Sequence, residues 1–187
     1  GIFDFGAAGN LNVGVVGGSS GVTTPGGGIG LTTGGLLSID KAVNASAGTV
    51  TLGGMGVVAG AHGSASAGSV FIRSGAGVGT GSAAFPTFAD YLWVDNNQQG
   101  GASPINLHNT GDLVIGSVMQ SGAGSTGSIR LENSGSVSLP YFDPYRDARA
   151  YVSAEGGDVR VTANGPLTID GEVSSQSGNV ALVAGNG

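Results

Sequence analysis

The chain has no cysteine, so it can hold no disulfide framework, no thiolate metal site and no cysteine nucleophile. That suits the cytosol, and it suits equally a polypeptide that must cross a membrane unfolded. Basic residues are scarce: six Lys and Arg stand against twelve Asp and Glu, giving a net charge of -6. With so few cations to meet phosphates, nucleic acid is not expected as a partner. Prolines number only six, and the 39 glycines follow no Gly-X-Y period, which excludes collagen. No apolar run approaches the ~20 residues that span a bilayer, so no transmembrane segment is expected. No signal peptide is visible, and the first residue is Gly1 rather than methionine; the chain is expected to be a processed or excised piece of something longer. Charge is low throughout, at 10% of residues, yet hydrophobic residues reach 40% and mean hydropathy is +0.21. Disordered chains show the opposite balance. The surface must therefore be covered by Ser, Thr, Asn, Ala and Gly.

What is present is self-similarity. Residues 165–182, GPLTIDGEVSSQSGNVAL, echo residues 35–52, GLLSIDKAVNASAGTVTL, without a gap. Eight positions are identical, among them Leu37/Leu167, Ile39/Ile169, Asp40/Asp170, Val50/Val180 and Leu52/Leu182. A third copy, residues 111–131, has three extra residues in its turn and keeps Leu113, Ile115, Val118, Gly127, Ile129 and Leu131. The shared form is glycine, a small residue, an aliphatic, a small residue, an aliphatic, then a turn and the same again. Apolar side chains at every second position make a strand buried on one face. Beta-branched residues fit that pleated surface. Each strand is too short to bury its apolar face alone, whereas stacked copies form a continuous aliphatic column.

First aliphatics recur at 105, 113, 129 and 137, then at 159, 167 and 180. A short step alternates with a longer one, so that two steps lead from position 105 to 129 before Pro140, and from 159 to 180 after it. The expected fold is all-β, a single parallel β-helix (β-solenoid) spanning residues 1–187 with about 20–24 residues per coil. Its expected core comprises Leu37, Ile39, Val50, Leu52, Leu113, Ile115, Ile129, Leu131, Leu167, Ile169, Val180 and Leu182. Two stretches break the rhythm and are expected as loop insertions. The first, residues 75–101, holds Phe85, Phe88, Tyr91 and Trp93, followed by a polar turn at 95–101. The second, residues 140–151, reads PYFDPYRDARAY.

Units such as Gly165-Pro166-Leu167-Thr168-Ile169, followed by Gly178-Asn179-Val180-Ala181-Leu182, resemble the repeats of filamentous-haemagglutinin-like large exoproteins. These are passengers of two-partner secretion, and related autotransporter passengers are similar. The resemblance covers residues 35–72 and 105–187 and is loose elsewhere. It implies an extracellular or bacterial cell-surface fibre, exported through an outer-membrane pore, folding as it emerges and serving adhesion or biofilm structure. The chain lacks the family's amino-terminal secretion domain, so export follows from the likeness alone.

Residue chemistry yields two sets of candidates. Tyr141, Phe142, Asp143, Tyr145, Arg146, Asp147, Arg149 and Tyr151 give one loop both aromatic faces and hydrogen-bonding charges, as a carbohydrate or cell-surface protein contact would need. The same residues also suit a flap whose aromatics cover the solenoid and whose Asp and Arg pair with one another. Phe85, Phe88, Tyr91 and Trp93 are expected to pack on strands or to contact a neighbouring subunit. Asp40, Asp112, Asp158 and Asp170 flank repeat strands and could imitate the carboxylate cluster of a polysaccharide lyase or hydrolase. Two of them are merely equivalent positions of the repeat, and basic partners are few: Lys41, Arg73, Arg130, Arg146, Arg149 and Arg160. No enzyme is expected. His62 and His108 lack a companion motif, GGxGxDx calcium repeats are absent, and Gly26–Gly28 leads into neither helix nor lysine, so no metal or cofactor is expected. The alternative to an adhesin segment is a filament subunit. Neither terminal sequence carries an evident polar cap, and open solenoid edges template end-to-end association.

Overall fold

A computed structural model describes residues 1–97 and 101–185. Among these residues there is no helix, and the strands stack in parallel as a β-solenoid of about eight turns. Sixteen strands form one continuous sheet, because Ala65–Ser74, Phe85–Asn97 and Leu113–Ser121 are long enough to turn a corner unbroken. The antiparallel strand pair among the described residues is the small hairpin of Val15–Val16 with Ser19–Ser20.

Register shows why the aliphatics are spaced as they are. Ile29, Val50, Val70, Leu92 and Ile115 occupy successive coils of one column. Leu31, Leu52, Ile72, Val94, Val118, Val152 and Val173 form a second. Leu11, Leu37 and Val57 begin a third, which continues through Val78 to Ile105, Ile129, Val159 and Val180. Ile105 stacks on Ile129, and Val159 on Val180, the pairs that the alternating steps select. Leu37, Ile39, Val50, Leu52, Leu113, Ile115, Ile129 and Leu131 are all buried. Leu167 and Ile169 are partly buried, while Val180 and Leu182 are 43% and 45% exposed. They continue the inner columns, but they belong to the last described coils, and a residue of a stacked column is covered only where another coil lies above it.

The echo between residues 35–52 and 165–182 does not mark equivalent positions on the coil. Leu37 shares its column with Val180, whereas Leu167 stacks on Val137 and Leu113. Copies 111–131 and 165–182 are in phase, and 35–52 is displaced by one face. Each face asks the same of its strand, aliphatic in and small residue out, so the two-strand unit recurs in either phase.

Both expected insertions are redrawn. Phe85–Asn97 is a central strand of the sheet, not a break in it. The excursion there shrinks to residues 79–84, which leave the coil where the next coil has only Asn106 between Ile105 and Leu107. Residues 98–100 of the expected polar turn lie outside the described residues. In the second insertion, residues 140–150 form the excursion, and Tyr151 already sits in the strand Tyr151–Ala154, opposite Ser117 and Glu172.

Inside the corners the core is polar. Asn109 Oδ1 accepts from Thr87 Oγ1 (2.9 Å) and the Ala89 N–H (3.0 Å), and Asn109 Nδ2 donates to Asn133 Oδ1 at 2.9 Å. A second buried ladder links Ser74, Gly77, Asn96, Gln120 and Ser125. These side chains satisfy one another and the turning backbone, which makes their burial tolerable.

Candidate binding face

On the outer surface of the coils a second set of columns runs. Thr51, Phe71, Trp93, Ser117 and Tyr151 lie in register on consecutive strands. Gly53, Arg73, Asp95 and Met119 run beside them. Stacking at about 4.8 Å per strand brings the Phe71 and Trp93 rings to 6.4 Å between centroids. Sequence reasoning missed Phe71 and Arg73 as site residues. Their signal was the coil length itself, because Phe71 precedes Trp93 by one full winding and therefore stacks on it.

Across this face lies the flap, residues 140–150. It is closed at its base by an antiparallel bridge between Phe142 and Arg149 and by the bond from the Asp143 N–H to the Ala148 carbonyl at 2.9 Å. It folds back over the coils that precede it. The Asp143 carboxylate, 6% exposed, accepts the Tyr91 hydroxyl at 2.8 Å to each oxygen and the Tyr145 N–H at 2.9 Å. The Tyr145 ring meets Tyr91 edge-on at 4.4 Å. The Arg146 guanidinium sits 4.1 Å over the Trp93 ring and 5.7 Å from Phe71, while Arg73 approaches the same indole to 5.4 Å. Burial, reinforced by the hydrogen bond to Asp143 and by its charge, raises the Tyr91 hydroxyl above the ordinary phenol range, against the opposing pull of Arg146. The hydroxyl therefore stays protonated as the donor of this pin.

Gly116 makes room for the crossing. A side chain there would run into the Tyr91 ring and would lie 2.7 Å from Asp143 Oδ2. The backbone bulges at this point, between the pairings of Leu92 and Trp93.

The predicted site residues thus separate. Asp143, Tyr145 and Arg146 are brought together with Tyr91 and Trp93. Tyr141 and Phe142 are exposed and stack edge-on at 4.8 Å on the flap's outer side, with Arg149 5.0 Å from the Tyr141 ring. Asp147 is exposed. The expected Asp–Arg pairs within the flap are not formed among the described residues. Its arginines stack on rings, and Asp143 is turned inward. Of the expected assembly contacts, Phe85 is in the core, Tyr91 and Trp93 lie under the flap, and Phe88 is open at 46% exposure.

Three of the four repeat carboxylates serve the corners. Asp112 accepts from the Ser136 N–H (2.9 Å) and hydroxyl (2.7 Å) of the next coil, and Asp158 accepts from the Asn179 N–H at 2.8 Å. Asp40 accepts from Asn12 and Ser38. Those bonds lower the Asp112 and Asp40 carboxyls below the ordinary aspartate value. His108 lies 3.9 Å from Glu132, which also holds Arg130. Among the described residues no three His, Asp or Glu side chains gather closely enough to hold a metal ion.

Between flap and face runs a groove of about 310 Å³ lined by Thr49, Thr51, Phe71, Arg73, Trp93 and Arg146. It adjoins a hollow of about 460 Å³ that shares Arg73 and includes Asp95 and Met55. Burial raises the Asp95 carboxyl above its ordinary value, with Arg73 and Arg146 pulling the other way. Its Oδ1 accepts no hydrogen bond among the described residues. No family model, curated protein or solved structure matches this chain.

Proposed function

We propose that the chain is a non-enzymatic binding segment of a secreted or surface-attached bacterial fibre, contacting carbohydrate or cell-surface protein through the flap face. The observation that carries this reading is the seating of Arg146 on Trp93. A loop from a later coil is pinned across two earlier ones, and it adds a cation to an aromatic column beside an open groove. Such a pairing of flat apolar rings with forked donors suits sugars and protein side chains alike. The extracellular location rests on the resemblance of the repeats. The non-enzymatic reading is supported by Asp40, Asp112 and Asp158, each engaged by a corner hydrogen bond, while Asp170 stands apart from them beside Arg149 and Glu172 under the flap's base.

The test is a glycan and cell-binding array with the intact chain and with a flap-less variant. Residues 140–150 would be replaced by Asp-Gly, the two residues that fill this corner in the next coil, between Ile169 and Glu172. Flap-dependent binding is expected; equal binding by both proteins, or none by either, would overturn the reading.

A second reading, a self-assembling filament subunit, has its own observation. Ile2, Phe3 and Phe5 at one end of the column, and Val180, Leu182 and Val183 at the other, are exposed apolar side chains. Further coils of a longer chain would cover them as well as a second copy would. Long filaments in electron micrographs of the purified protein would favour this reading, and discrete rods the first.

A further inference from the structure

We infer that the groove between Arg73 and Arg146 is a subsite for an acidic saccharide, its carboxylate or sulfate held by the two guanidiniums. This rests on the reading of the flap face as a binding surface and specifies its ligand class.

Two observations converge. The first is charge placement. The chain has six Lys and Arg against twelve Asp and Glu, so an arginine without a carboxylate partner is the unexpected arrangement. Arg73, from the strand Ala65–Ser74, and Arg146, from the flap, nevertheless converge on one indole. Neither forms an ion pair within 4.0 Å among the described residues, the Asp95 carboxyl lying close enough to feel both charges without pairing with either. Both are solvent-exposed, with the edge of the planar fork open to accept a carboxylate or sulfate in bidentate fashion.

The second is shape. The groove joins the ring of Phe71 and the hydroxyl-bearing Thr49 and Thr51 in a strip that runs across strands, along the solenoid axis. That gives a pyranose an apolar wall on one side and small polar groups on the other.

A contrasting pair provides the control. Arg130 and Arg160 are direct neighbours in register on another face, with Arg130 held by Glu132. They offer similar charge without rings from a flap.

The experiment is isothermal titration of the intact chain with three oligosaccharides of matched length: an oligogalacturonate, a sulfated dextran oligomer and neutral dextran. Saturable binding of one or both acidic sugars is expected, and which of them binds identifies the acid. Arg146→Ala and Arg73→Ala should each weaken binding by about tenfold, the loss expected of one charge-assisted contact. Arg160→Ala should leave it unchanged. Each variant's far-UV circular dichroism and melting temperature report that it folds, and Arg146→Lys, which keeps the charge without the fork, should fall between wild type and Arg146→Ala. Equal binding of neutral dextran would overturn the acid preference while leaving the flap face as a binding surface. An equal loss with Arg160→Ala would reduce the effect to general attraction and overturn the subsite. No binding of either acidic sugar would overturn it too, and the flap-less array would then decide the broader reading separately.

Discussion

Replacing Asp143 by alanine removes the carboxylate that holds the flap to the sheet. It loses the bond from the Tyr91 hydroxyl at 2.8 Å and the bond from the Tyr145 N–H at 2.9 Å. A hydrogen bond to a charged acceptor contributes about 1.5–3 kcal/mol, and a buried hydroxyl left without a partner costs about 1–3 kcal/mol. The full sum would not appear in global stability, because the flap can lift and let water reach Tyr91. What then holds it down is the Tyr145–Tyr91 edge contact, about 0.5–1.5 kcal/mol, and Arg146 on Trp93, about 0.5–2 kcal/mol. Losing about 2 kcal/mol of docking raises the open fraction roughly thirtyfold. Trp93 is the sole tryptophan and only 7% exposed in the closed flap, so its emission reports opening directly. Asp143→Ala should shift that emission to the red, increase quenching by acrylamide, and speed tryptic cleavage after Arg146 and Arg149. The melting temperature of the solenoid should change little by comparison. Unchanged emission together with unchanged cleavage would refute the reasoning that this carboxylate pins the flap.

Other consequences follow from the coils. Asn109→Ala strips partners from Thr87, the Ala89 backbone and Asn133 at once; a loss of about 2–4 kcal/mol is expected from the denaturation midpoint. Leu52→Ala, in the middle of its column, should cost about 2–5 kcal/mol, whereas Leu182→Ala, already 45% exposed, should cost under about 1 kcal/mol by the same assay. The folded Asp112 carboxyl lies below its ordinary value of 3.8, first through the Ser136 N–H and then through the Ser136 hydroxyl. Its contribution to stability is therefore fully present above that ordinary value and is lost as pH falls through the folded value. Acid titration of Asp112→Asn should show a shallower loss below about pH 4 than wild type.

The winding was legible because its cause is periodic. Leu113, Ile129, Val137, Val159 and Leu167 fall at the steps that one winding demands, and register places each where those steps put it. Phase was not legible, since Leu37 and Leu167 sit in the same Gly-x-Leu-x-Ile-Asp pattern but serve different faces. The strand Phe85–Asn97 read as a break because Tyr91, Leu92, Trp93 and Val94 are all buried. The flap covers Tyr91 and Trp93, which would otherwise be the exposed half of the alternation. The ladder residues Asn96, Asn109, Gln120 and Asn133 carry no local mark of burial in the sequence; only stacking shows that each finds its partner one coil away. At the site, the flap's chemistry was visible in residues 140–151, but its target was not. Asp143 and Tyr91 lie far apart in the sequence, and nothing local joins them.

The most direct test of the flap-built face is a set of nuclear Overhauser contacts in the unmodified protein, read from the Trp93 indole. The account predicts contacts from the indole ring to the Arg146 side chain, and from the Tyr91 ring to Tyr145, with the Arg146 side-chain protons shifted upfield by the ring 4.1 Å beneath the guanidinium. Arg146 protons at ordinary, unshifted positions, with no contact to Trp93, would contradict it.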